Sequence, residues 1–203
     1  MTAHLGKFNL SVFNEPGSQS SWVSQIIIHH DWKPEDQKFD ADIAVVVLGE
    51  ELEFTEFIKP ISLPSQTEDN IIESGTIGGW MEETPIELDM PVVEINKCYP
   101  RFPKLADRDY PHMFCAGYDS ENNNAGPDSL SAGFYASESS SSPLISVEGI
   151  VSSSIVANQT CDVNKYSLYT TVGMFVDWIK DKMKETKENQ RAEVKLKCEE
   201  YKR

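Results

Sequence analysis

Short runs of β-branched, aliphatic and aromatic residues, each broken by Gly, Pro, Asn, Asp or Ser, dominate this chain. Such runs read as strands at residues 22–28, 43–48, 71–77, 91–95, 144–151 and 166–172, and the turn-forming breaks between them predict an all-β sandwich or barrel. One segment near the end follows another rhythm. Val172, Phe175, Val176, Ile179 and Met183 recur at three- and four-residue spacing, with Asp177, Lys180, Asp181, Lys182 and Lys184 elsewhere on the surface. That period predicts an amphipathic helix packed on the β domain. Beyond it, residues 185–203 are rich in Lys and Glu, a composition that suits either a helical extension or a disordered tail. Residues 119–142, dense in Ser, Asn and Gly, predict long surface loops, and internal repeats are absent.

Composition narrows the classes of partner. With 203 residues, 39% hydrophobic and 10% aromatic, the chain can bury a sizeable core as one domain or two small ones. Its 18 Lys plus Arg stand against 33 Asp plus Glu, a net charge of -15. A surface of that sign repels phosphate backbones and anionic headgroups, which argues against nucleic-acid and membrane-surface partners. No run approaches the roughly 20 apolar residues that span a bilayer, and the first residues lack the basic stretch and apolar core of a secretory signal.

The four cysteines, Cys98, Cys115, Cys161 and Cys198, contain no Cys-x-x-Cys pair and no histidine partner at zinc-ligand spacing. Neither a metal nor a cofactor is therefore expected, and disulfides are the better reading. The sequons Asn9-Leu10-Ser11 and Asn158-Gln159-Thr160 are candidate glycosylation sites that suit an extracellular protein.

A family resemblance enters at Asp40-Ala41-Asp42-Ile43-Ala44-Val45-Val46-Val47-Leu48, followed by Phe54-Thr55, Ile58, Pro60-Ile61 and Leu63-Pro64. These residues resemble the Asp-Ile-Ala-Leu-Leu segment and the downstream Ile-x-Pro-Ile-Cys-Leu-Pro of trypsin-like (chymotrypsin-family) serine peptidases. Ile26-Ile27-Ile28-His29-His30-Asp31-Trp32-Lys33-Pro34 is similar to the family's Ile-x-His-Pro-x-Tyr/Trp strand. Gly79-Trp80 resembles its Gly-Trp-Gly, and Met113-Phe114-Cys115-Ala116-Gly117 its Met-Phe-Cys-Ala-Gly. Pro143-Leu144 and Gly149-Ile150-Val151-Ser152 resemble its Pro-Leu-Val-Cys and Gly-Ile-Val-Ser-Trp-Gly. Tyr169-Thr170, Val172, Phe175 and Trp178-Ile179 are similar to the closing Val-Tyr-Thr-x-Val and Trp-Ile helix. The resemblance covers roughly residues 5 to 183. It implies two antiparallel β-barrels with a cleft between them and a C-terminal α-helix, in a domain over residues 1–183 followed by a charged tail over 184–203. The family's mature start, Ile-Val-Gly-Gly, is absent, so the first barrel is expected to be incomplete.

The same resemblance assigns the site. A serine nucleophile needs a histidine to take its proton, a carboxylate to orient that histidine, and N–H groups aimed at the oxyanion. Asp42 takes the position of the orienting carboxylate. Cys-x-Gly-Asp-Ser-Gly-Gly corresponds to Ala125-Gly126-Pro127-Asp128-Ser129-Leu130-Ser131, which puts Ser129 at the nucleophile position. Pro127 replaces a glycine that supplies an oxyanion N–H and has none to give. Leu130 and Ser131 replace glycines that let the chain turn tightly beneath the nucleophile. A second register, with Ser131 as nucleophile before Ala132-Gly133, leaves the preceding Asp unmatched.

No catalytic histidine is found. Thr2-Ala3-His4 invites comparison with the family's histidine motif, but His4 directly precedes Leu5-Gly6-Lys7-Phe8-Asn9-Leu10, which resembles a strand that follows the catalytic histidine only after a loop. His4 therefore reads as an ordinary strand residue. His29 and His30 match a non-catalytic strand histidine, and His112 lies in the loop before Met113. Asn123 falls at the bottom of the specificity pocket, and Ser154 and Ser167 replace glycines that keep that pocket open. Cys98 and Cys115 match two half-cystines that pair in the family. Ala125 replaces the partner of Cys161, leaving Cys161 to pair with Cys198 or stay free, and a further family bridge, near Met90 and Ser146, has lost both ends.

These features predict a catalytically inactive serine protease homologue. It is expected to be an extracellular binding or regulatory module whose partners are proteins, cascade proteases or their substrates. The alternative is an active serine-type endopeptidase represented by a truncated sequence.

Overall fold

The computed structural model describes residues 1–33, 40–64, 73–81, 83–100, 102, 111–118, 133–139, 142–153, 156–157, 160–161 and 166–200. Strands β1 (Thr2–Leu5), β2 (Gln19–Ile28) and β3 (Ala44–Leu48) form an open antiparallel sheet in the order β1-β2-β3. Six longer-range strands close on themselves. They are β4 (Ser74–Met81), β5 (Thr84–Val93), β6 (Met113–Ala116), β7 (Gly133–Ser139), β8 (Ser142–Ser153) and β11 (Ser167–Thr171), arranged as a barrel in the order β11-β6-β5-β4-β7-β8. Two-residue strands β9 (Val156–Ala157) and β10 (Thr160–Cys161) pair with each other. A short 3-10 turn, Val172–Phe175, leads into α1 (Val176–Glu200). This is the all-β, trypsin-like double-barrel class that the sequence predicts, with the first barrel represented among the described residues by three strands.

Alternation along the barrel strands builds two cores, because successive side chains of a strand point to opposite faces. In β11, Tyr169 packs with Ile77, Met90 and Ala116, while its neighbour Leu168 packs with Cys98, Met113 and Cys115. β6 divides the same way. Phe114 stacks on Tyr169 at 5.1 Å between ring centroids, and Cys115 turns to the other core to bridge Cys98, with Cα atoms 6.1 Å apart. The bridge that the resemblance implies is thus formed. A third cluster, Ala41, Ile43 and Phe175 with Ile150, Trp178 and Ile179 against it, joins the segment before β3 to the barrel and the helix. The open sheet contributes less burial, leaving Ile26, Ile28 and Val46 exposed.

Three local features differ from the sequence prediction. Residues 133–139, expected within a loop by their composition, form β7, which is hydrogen-bonded by β4 on one side and β8 on the other. Pairing on both edges overrides weak local preference. β5 begins at Thr84 rather than at residue 91, because Ile86, Leu88 and Val92 pack on buried Met90 while Glu87 and Asp89 stay exposed. The resemblance of residues 5–10 to a strand holds only for Leu5. Gly6 adopts φ 67°, and a Cβ there would meet Ile58 Cγ1 at 2.9 Å, so the chain turns away. The loop that follows is organised by Glu15, whose carboxylate accepts the N–H of Phe8 at 2.9 Å and of Asn9 at 3.2 Å and pairs with Lys7 at 3.6 Å. Those bonds, led by the Phe8 N–H, hold the Glu15 carboxyl below its usual range.

Of the two alternatives open for the tail, the helical extension is realised through Glu200, so the 183/184 boundary falls inside α1. A helix of 25 residues is about 37 Å long. Its middle flanks β3, with Met183, Lys187 and Arg191 lining a groove of about 850 Å³ beside Val45 and Val47.

Candidate functional site

The site grows from a three-residue turn. The N–H of Ile43 donates to the carbonyl of Ala41 at 2.8 Å, which pivots the backbone on Asp42. Ala41 and Ile43, 2% and 6% exposed, anchor the turn in the cluster around Phe175. Between them Asp42 is half-buried, and its Oδ2 accepts the hydroxyl of Ser152 at 2.8 Å. The carbonyl of Asp42 accepts the Thr170 hydroxyl at 3.0 Å. Ser152 lies on β8 and Thr170 on β11, two paired barrel strands, so the barrel grips a carboxylate carried by the sheet. Burial pushes the Asp42 carboxyl above its ordinary range, and the Ser152 hydrogen bond opposes that rise.

Two residues earlier, Asp40 makes a different attachment. Its carboxylate accepts the backbone N–H of His112 at 2.9 Å and contacts the His112 Nδ1 at 2.6 Å. The carbonyl of His112 in turn accepts the N–H of Thr171 at 2.8 Å. The remaining histidines are engaged elsewhere. His4 sits in β1 opposite Ser20, with its Nδ1 2.8 Å from that hydroxyl. His29 and His30 flank Asp31, with nitrogens 3.9 and 3.5 Å from Oδ2. Among the described residues, the hydrogen-bond partner of the Asp42 carboxylate is Ser152 and not a histidine.

The other predicted residues are distributed as follows. Ser129, Asn123, Ser154 and Asn158 lie outside the described residues, as do Pro127, Asp128, Leu130 and Ser131. Ser167 opens β11, is 8% exposed and pairs with Ala116. Asn9 is half-buried in the loop after β1, where its Oδ1 accepts the N–H of Ser11 at 2.8 Å. Ser152, Thr170 and the Asp40–His112 pair were not singled out by the sequence. Ser152 and Thr170 lie inside motifs that carry the resemblance, but strand pairing alone tells which residues of β8 and β11 face Asp42.

An open sheet and a closed barrel, joined by a carboxylate held across their seam and followed by a C-terminal helix, define the trypsin-like serine peptidase class. The family described as Trypsin matches residues 1–179, and the chain belongs to that family. Among curated proteins it is similar to serine protease gd of Drosophila melanogaster, at 28% identity over 86% of this chain and 40% of that protein. It is also similar to CLIP domain-containing serine protease HP8 of Bombyx mori, at 31% identity over 80% of this chain and 46% of that protein. Complement C1s subcomponent of Rattus norvegicus is 29% identical over 90% of this chain and 28% of its own length. The chain spans less than half the length of each of these relatives.

Proposed function

We propose that these residues form a non-catalytic serine protease homologue, an extracellular binding or regulatory module whose partners are cascade proteases or their substrates. The observation that carries this reading is the arrangement around Asp42. Its half-buried carboxylate, at the family's triad position, is satisfied by Ser152, while His4, His29, His30 and His112 have other partners. Without a base at hydrogen-bond distance, a serine hydroxyl stays a poor nucleophile. Pro127 and Leu130 point the same way, since one has no N–H to offer an oxyanion and the other replaces a glycine of the family's nucleophile motif. A complement subcomponent among the relatives supports a role among proteins that act in sequence, and the Cys98–Cys115 bridge suits an oxidising, extracellular setting.

The presence of Asp42 at the family's carboxylate position favours one competing reading, an active endopeptidase. Labelling with a fluorophosphonate, which captures an activated serine, separates the two. Labelling of the wild-type chain no greater than that of Ser129→Ala or Ser131→Ala is expected. Stoichiometric labelling that either substitution removes would sink the non-catalytic reading.

A further inference from the structure

Three potential metal ligands follow one another as β2 ends. His29 is 7% exposed, and its ring is held edge-on by Phe175 at 5.0 Å and Trp178 at 4.8 Å between centroids. Its backbone N–H donates to Ile43, next to Asp42, at 3.1 Å. The His29 Nδ1 accepts the N–H of Asp31 at 3.2 Å, which curls the turn back on itself and places a lone pair there that an ion would take over from that N–H. The curl brings the Asp31 Oδ2 to 3.9 Å from His29 Nδ1 and 3.5 Å from His30 Nε2. One donor atom from each of the three residues lies within 4.8 Å of the others.

From this geometry we infer that His29, His30 and Asp31 form a binding site for a divalent transition-metal ion of the Zn2+ type. Bonds of about 2.0–2.1 Å around a tetrahedral ion separate its ligands by roughly 3.3 Å, so the donors must close by about an ångström. The fixed ring of His29 provides the platform. The side chains of His30 and Asp31, 76% and 63% exposed, are free to make the adjustment. Two imidazoles and one carboxylate suit Zn2+, Cu2+ or Ni2+ better than the all-oxygen preference of Ca2+ or Mg2+. Three protein ligands leave the fourth position to water. Adjacent donors such as these carry no spacing signal in the sequence and meet at one point only through the curl of this turn. An ion here would stiffen the joint where the sheet meets α1, since His29 is packed between that turn and the helix.

Titration of ZnCl2 into metal-free residues 1–203, followed by calorimetry, tests the site. One Zn2+ per chain is expected, with affinity falling by more than about tenfold in His30→Ala and in Asp31→Asn. Both substitutions change exposed side chains and leave the packed ring of His29 in place. CaCl2 should give no matching heat. Absence of Zn2+ binding to the wild-type chain, or binding undiminished in both variants, overturns the proposal.

Discussion

At the scale of single residues, half-buried Asp42 and buried His29 are groups whose ionised forms the fold disfavours, and they act on opposite sides of neutrality. Burial raises the Asp42 carboxyl above 3.8, so between that value and its folded one the native state binds more protons than the unfolded chain. Stability from this group therefore falls as pH rises through the window, and the cost is complete above it. Asp42→Asn keeps an oxygen for Ser152 and removes the charge. It should raise the urea midpoint near about pH 7 and do little near about pH 3.5. His29 runs the other way. Burial first, then His30 and His112, lower it below 6.5 against the pull of Asp31. Below 6.5 the unfolded chain takes up a proton that the native state resists, so stability is lost as pH falls from 6.5 towards the lowered folded value. In the presence of a chelator, His29→Gln should flatten the dependence of Tm on pH between about 6.5 and 5 relative to wild type. A parallel slope in both proteins would remove His29 from that role.

Among the elements, the disulfide and the helix joint hold the barrel to its surroundings. Cys98 and Cys115 are both 0% exposed and 17 residues apart. Closing a loop of that size restrains the unfolded chain by about 3 kcal/mol in the chain-entropy account. Replacing both cysteines by Ala should lower the unfolding free energy by that order, measured by denaturant titration against the oxidised wild type. Phe175 is 4% exposed and touches His29, His112, Ala41 and Ile43 at the point where β11 hands over to α1. Phe175→Ala should cost about 3–5 kcal/mol. Its loss should also weaken protection of the Ile43 and Thr171 amides in hydrogen exchange, because the chain segments that carry them meet at this ring.

For the whole molecule, the sequence carries the fold class, the terminal helix, the Cys98–Cys115 pairing and the position of Asp42. Periodicity marks the strands and the helix, while the cysteine pairing and the place of Asp42 are what the resemblance to trypsin-like peptidases implies. Strand β7 was hidden because its Ser-rich composition is loop-like, and it becomes a strand only by pairing on both edges. β5 reaches further back than the strand expected at residues 91–95, because Ile86, Leu88, Met90 and Val92 form an unbroken inward face. The partners of Asp42 and the His29-His30-Asp31 curl depend on contacts that no local pattern specifies. The central claim is that this family member works by binding rather than by cleaving peptide bonds. It is tested most directly by assaying residues 1–203, and the longest natural product that contains them, against a mixed peptide library beside Ser129→Ala and Ser131→Ala. Turnover at the level of the uncatalysed reaction, unchanged by either substitution, is the predicted result. Turnover that either substitution abolishes would contradict it.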